Sequence, residues 1–337
     1  MSGLYTFYTN REMLDEPFTD AWFRILQQNA MIEPKERVFK IYPLKGHYMK
    51  KNRNLLENIV HGIFLLLGLV TIGCVLLITA YLVISGVPAI REIGLFAFLF
   101  GDTWASTAAQ PLYGILPFIL TSIYGTAGAI VLGVPVGLLT AVYLAKLASK
   151  RVKMVMGQAV SMLAGIPSVV YGLVGMMVLV PGIRKAFCVP DGASLFAAII
   201  VLAIMILPSI IKVSVTALEA VPKEYEEASL ALGATPEETY FRVSVPAARS
   251  GIAAAVVLGV GRAKGEAMAV MMVAGNAANM PDGLFQSVRF LTTAVASEMS
   301  YSSGLQRQAL FSIALVLFLF IMMINAVLNY FLKGEKK

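Results

Sequence analysis

The sequence predicts an all-α, polytopic membrane fold with six transmembrane helices and both termini on the cytoplasmic side. Three observations carry that prediction. Apolar residues make up 58% of the 337 positions and charged residues 14%, where a soluble domain carries about 25% charged residues. Mean hydropathy is +0.76, too high for a chain that must coat a globule with polar surface. Six runs are apolar enough to cross a bilayer core, and Lys and Arg gather in one set of the loops between them. A soluble enzyme and a disordered chain are excluded. Two Cys make no disulfide framework, and His47 and His61 with no metal-ligand spacing make no zinc site. No cofactor is expected.

The first span is read at Ile63–Ile84, which carries no charge. The second lies in the uncharged stretch Thr103–Ala145, its helix beginning near Tyr113. The third is Met154–Ile183, with Pro167 and several glycines inside it, and the fourth is the shorter run Gly192–Ile211. The fifth, Ser250–Ala274, is apolar except for a charged cluster in its middle, and Gln308–Leu332 is the sixth. Pro117, Pro135, Pro167 and Pro208 fall inside these runs. In a bilayer such prolines suit a bundle around a pathway, where neighbouring helices satisfy the freed carbonyls.

Six spans put both ends of the chain on one side. Residues 1–54 hold nine Lys and Arg, 146–156 four, 212–249 four and the tail three, so that side holds 20. The opposite loops hold five: Arg91, Arg184, Lys185, Arg289 and Arg307. The excess marks the cytoplasmic side. The net charge of +7 thus reports orientation before it reports any nucleic acid.

Residues 1–48 are polar and of mixed charge, with no apolar core before a small-residue cleavage site, so they are not read as a signal peptide. Two readings stand side by side: a translated leader ahead of a natural start at Met49, or a cytosolic extension. The basic lead-in Met49-Lys50-Lys51-Asn52-Arg53 supports the first. The transmembrane domain is then 49–333, with a cytosolic loop at 219–246 and a tail at 334–337.

The loop between spans four and five is the most specific part of the chain. Pro222 suits a first helical position, and Glu224, Glu226 and Glu227 sit near the positive end of the helix dipole. Gly233 reads as a helix terminator. Thr235-Pro236-Glu237-Glu238 opens a second helix with a capping-box pattern, and Pro246 limits it. Two short helices joined by a glycine turn should stand outside the membrane. The segment Glu219–Arg242 has six acids and two bases, so it would repel a phosphate backbone, and no nucleic acid is expected.

Glu227-Ala228-Ser229, Gly233-Ala234 and Val243-Ser244-Val245-Pro246 resemble the EAA loop of ABC importer permeases. The family pattern is Glu-Ala-Ala, three residues, Gly, nine residues, Ile-x-Leu-Pro; Ser229 and the two valines are mild departures. Leu163–Gly172, Leu202–Ser209 and Gly261–Val270 resemble the permeases of phosphate-specific importers. Gly101–Trp104 and the segment from Gly275-Asn276 to Ser297-Glu298 resemble their PstC-type subunit. Lys264 departs from a position usually apolar in that family. The resemblance implies a PstA-type permease partner, an ABC ATPase dimer docking on the EAA-like loop, and an extracytoplasmic phosphate-binding protein. It further implies import of inorganic phosphate across a bacterial or archaeal cytoplasmic membrane, with lipid around the bundle. Molybdate, tungstate or sulfate would suit the same type of permease, and a secondary transporter or channel is the alternative from another class. No Gly-x-x-x-x-Gly-Lys-[Ser/Thr] occurs, so ATP hydrolysis would have to come from another subunit.

Arg262 lies 12 residues into the fifth span, about 18 Å along a helix axis and near the centre of a hydrocarbon core of about 30 Å. A lone guanidinium there is costly, so it either marks a pathway or belongs to a pair that only fixes helix packing. If the helix is continuous, Glu266 sits one turn on and pairs with it. Lys264 then points to the opposite face, toward a partner subunit or polar cavity. The pathway is expected to include Arg262, Glu266 and Lys264, together with Ser168 and Tyr171 from the matching stretch of span three.

Overall fold

The computed structural model describes residues 49–334, with side chains described over 57–326. Both readings of residues 1–48 therefore lie outside the described residues. Helix α1 runs Met49–Ile93, much longer than its uncharged centre, because nothing between its basic start and Pro88 interrupts helical spacing. Phe64, Leu66, Leu69, Leu76 and Leu77 along it are exposed. An apolar surface of this kind is what acyl chains solvate.

A short helix α2 (Leu95–Phe100) leads into a two-stranded hairpin, β1 (Trp104–Ala105) and β2 (Leu112–Tyr113), with Trp104 opposite Tyr113. Tyr113 is thus strand, and the second span begins three residues later at α3 (Leu116–Val142), closing in a π-helical turn at Tyr143–Leu147.

The third span differs from the sequence reading. Its proline divides it into α4 (Lys150–Gly165) and a second stretch formed by α5 (Ser168–Val174), a π-helical turn at Gly175–Leu179 and α6 (Val180–Phe187). Pro167 forces the residue before it out of the helical region, and Ile166 is extended at ψ 128°. The membrane-crossing part is Ser168–Phe187.

Helix α7 (Leu195–Glu219) is the most buried of the spans and forms the centre of the bundle. A stripe of Gly125, Gly128, Gly133 and Gly137 on α3 faces it. A Cβ on the last three would lie 2.6–2.8 Å from Ile199, Ile206 and Ile210. Small residues let the backbones approach where lipid offers no hydrophobic drive for association.

Past α7 the chain forms α8 (Lys223–Ala231), α9 (Pro236–Thr239), a π-helical turn at Tyr240–Ser244, and α10 (Val245–Ala247). The fifth span is also broken. Helix α11 (Arg249–Gly265) stops at Gly265, Glu266 is extended at φ −77° and ψ 128°, and α12 (Met268–Val273) is a separate half-helix. A loop then leads to α13 (Leu291–Glu298) and the last span, α14 (Gly304–Gly334). Among the described residues five helices are long and apolar enough to cross a membrane; α11, at 17 residues, makes a sixth when counted with the bent segment before it.

Candidate functional site

The two broken spans meet at their breaks. Gly172 of α5 lies against α12 so closely that a Cβ there would be 2.9 Å from the Cα of Ala269 and from the sulfur of Met272. The hydroxyl of Tyr171 spans the first break, donating to the carbonyl of Leu163 at 2.7 Å. Ser168 is the first residue past that break. Arg262 on α11 is partly buried and acts electrostatically on the Tyr171 phenol. Among the described residues no carboxylate lies within ion-pair reach of Arg262.

The expected Arg262–Glu266 pair is not formed. The helix ends one residue short of Glu266, which removes the one-turn spacing the pairing needed. The Glu266 carboxylate instead accepts from the backbone N–H of Ala269 at 3.0 Å, capping the half-helix. Its carbonyl accepts from the hydroxyl of Thr292 at 2.8 Å. Lys264 does not meet a polar cavity either. Its side chain is buried with Nζ 5.4 Å from the centre of the Phe320 ring and has no hydrogen-bond partner among the described residues. Beside the breaks an apolar groove of about 600 Å³ runs past Ile166, Tyr171, Gly175, Phe196 and Ile204.

The basic side carries a second constellation. Gly233 has φ +89° and open space around its Cβ position, so only its backbone conformation requires glycine. The capping box is formed in both directions between Thr235 and Glu238. Ser229 shares a 2.9 Å hydrogen bond with the hydroxyl of the fully buried Thr239, which locks α8 to α9. Glu226 ties the knob to the bundle: its carboxylate meets Lys146 Nζ at 2.5 Å and accepts from the Ser244 hydroxyl at 2.8 Å. Burial pushes the Glu226 carboxyl up, but the Lys146 and Ser244 hydrogen bonds and the charges of Lys146 and Lys223 outweigh it, leaving its pKa below the usual carboxylate range. Lys153 and Glu219 form a further ion pair at the same level. Glu227, Ala228 and Pro246 are exposed and Ala234 is half-buried, while Tyr225, Leu230, Phe241 and above all Leu232, at 90% exposure, offer apolar surface outside the bundle.

Residues 133–336 match the family described as binding-protein-dependent transport system inner membrane component. The chain belongs to that family. Among similar permeases, the probable ABC transporter permease protein YqgH of Bacillus subtilis is 38% identical over 82% of this chain and 92% of its own length. The phosphate transport system permease protein PstC of Haemophilus influenzae is 35% identical over 78% of this chain and 88% of its own. A crystal structure of a bacterial alginate ABC transporter, in complex with its pentasaccharide-bound periplasmic protein, contains a chain of the same fold. Its TM-score is 0.57 at 15% identity, over 84% of this chain and 97% of that one.

In this permease Tyr171 and Ser168 stand at the first break and Glu266 at the second, Arg262 lies in the last turn of α11 within electrostatic range of Tyr171, and Lys264 is turned toward Phe320. Sequence reasoning missed Thr292, Lys146 and Ser244. A lysine in the last turn of an otherwise uncharged span was the one signal available for Lys146.

Proposed function

We propose that this permease is one of two membrane subunits of an ATP-driven importer that moves inorganic phosphate into the cytoplasm by alternating access. The observation that carries the reading is Arg262: an intramembrane guanidinium in the last turn before a helix break, with no carboxylate spent on it. A planar fork with unused donors suits a tetrahedral oxyanion, which it binds through two parallel hydrogen bonds. The Ser168 hydroxyl at the facing break adds a neutral donor, while the Tyr171 hydroxyl, whose proton goes to the Leu163 carbonyl, shapes the break along the pathway. The curated relatives named as phosphate permeases support phosphate over other oxyanions.

The remaining parts follow from this reading. The basic loops face the cytoplasm of a bacterial cell membrane. There the knob around Gly233 presents Tyr225, Leu230 and Leu232 to an ATPase subunit. ATP binding draws the ATPase pair together, and the Lys146–Glu226–Ser244 tie carries that movement from the knob into α3. A second permease, of PstA type, closes the apolar groove beside the breaks, and an extracytoplasmic binding protein delivers phosphate from the other side. The bundle tips between inward- and outward-facing states about the breaks.

Reconstitution in liposomes with these partners tests the proposal. The expected result is ATP-dependent phosphate uptake that equimolar sulfate, molybdate or tungstate does not inhibit. Preferred uptake of one of those anions, or uptake without the ATPase, would refute it.

A further inference from the structure

One polar cluster lies apart from both sites. The Glu298 carboxylate, at the end of α13, is only 8% exposed. Five hydrogen bonds converge on it: from the Trp104 indole N–H at 3.2 Å (Oε1) and 3.4 Å (Oε2), Ser106 at 3.3 Å, Gln306 at 3.0 Å and the Arg289 guanidinium at 2.5 Å. The Gln306 amide also donates to the Ser106 hydroxyl at 3.1 Å. Burying an ion pair is costly in desolvation, and an apolar contact of equal volume would staple these elements at least as well. What the ionic pair adds is a fixed geometry for Arg289.

Arg289 uses that geometry on the backbone. Its Nε donates to the carbonyl of Asn276 at 2.8 Å. Asn276 stands at φ +60°, a strained conformation for a non-glycine residue that persists only where neighbours over-determine it. From there its amide donates to the carbonyl of Met271 at 2.8 Å, satisfying one of the free carbonyls at the end of the half-helix α12. The opposite end of α12 is held by Glu266, whose carbonyl takes the Thr292 hydroxyl three residues beyond Arg289. The half-helix that meets Gly172 is thus clamped at both ends by the segment that Glu298 anchors.

We propose that Glu298, acting through Arg289, is a positioning residue for transport: it fixes the half-helix Met268–Val273 against the break at Pro167. Trp104 and Ser106 belong to the hairpin whose tip, 107–112, is exposed on the side away from the knob. Load placed on that hairpin by a docking protein therefore reaches the half-helix through the same carboxylate. The functional part of this proposal rests on the importer reading; the positioning part does not.

The test uses the assembled transporter in lipid nanodiscs. Glu298→Gln should speed deuterium exchange of residues 268–277 at least fivefold and leave the loop 219–246 unchanged. Basal ATPase activity should stay within twofold. Stimulation of ATPase by phosphate-loaded binding protein, and phosphate uptake in liposomes, should both fall at least fivefold. Glu298→Asp, which keeps the charge, should restore part of the stimulation. Should Glu298→Gln not assemble, Arg289→Lys decides, because it keeps the ion pair and removes only the Nε donor to Asn276; it should speed exchange at 274–277. Unchanged exchange in the half-helix overturns the proposal, and so does faster exchange with full stimulation and uptake. If the wild-type complex takes up no phosphate, the importer reading fails, while the exchange measurement still decides whether Glu298 positions the half-helix.

Discussion

Replacing Lys264 by methionine should make the protein more stable and leave transport intact. The amine is buried with no hydrogen-bond partner among the described residues, and its nearest compensation is the Phe320 ring 5.4 Å away. An unpartnered buried polar group costs about 1–3 kcal/mol on mutational scales, and more when charged. A cation–π contact returns about 0.5–2 kcal/mol. Methionine has a similar length and no polar atom to desolvate, so the exchange leaves neither a cavity nor an overpacked site. The expected net gain is up to about 2 kcal/mol, a rise in thermal midpoint of up to about 3 °C for a chain of this size. The assay pairs a thermal melt of the assembled complex with ATP-driven uptake in liposomes. Uptake within twofold of wild type and a higher midpoint are the expected pair. A tenfold loss of uptake at unchanged membrane level would refute the reasoning and place Lys264 in the pathway, as the sequence alone suggested.

Arg262→Gln should abolish or sharply cut phosphate uptake while membrane level and ATPase docking persist, and Arg262→Lys should rescue poorly because a point charge lacks the planar fork; normal uptake by Arg262→Gln removes the residue from the site. Gly233→Asp places a non-glycine residue at φ +89°, which costs roughly 1 kcal/mol or more without any clash, and tilts the docking surface. ATPase activity should persist without transport, and normal transport would count against the docking role. Ser229→Ala, although it restores the family's alanine, strands the buried Thr239 hydroxyl; the thermal midpoint should fall by the equivalent of about 1–2 kcal/mol. The Glu226 tie gives a pH signature. Its folded pKa lies below the unfolded value, so its stabilisation is present above that value and lost as pH falls through the folded one. The midpoint difference between wild type and Glu226→Gln should be constant from pH 6 to 8 and vanish only below the reference value of 4.5.

What was legible in the sequence and what was not divides along the range of the interactions involved. The glycine turn at Gly233, the Thr235–Glu238 box and the uncharged runs of α1, α7 and α14 are set by neighbours within one helical turn, and each stands where the residues placed it. The break after Gly265 is different in kind. Gly265-Glu266-Ala267 in an apolar run is compatible with continued helix, and only contacts made elsewhere decide against it: the Ala269 cap, the Thr292 hydroxyl 26 residues on, and the close pass of Gly172. Pro167 reads as lying inside a single third span, because a proline alone leaves open whether a span kinks or divides.

The pair Arg262 and Lys264 shows the same division inside a single turn. Helix geometry sends residues two apart to opposite faces, so the sequence already separated them. It could not say which neighbour stood on each side, because that depends on how α5 and α14 pack on α11. One face turns toward the Tyr171 phenol and leaves the guanidinium without a carboxylate in reach; the other turns toward Phe320 and leaves the amine without a hydrogen-bond partner among the described residues. Long-range polar ties follow this rule throughout. Trp104 and Glu298 both lay in segments that resembled one subunit type, 194 residues apart, and nothing in either segment states that they touch. In this bundle, local signals specify the helices and the knob. What surrounds each charge is decided by tertiary packing at the breaks.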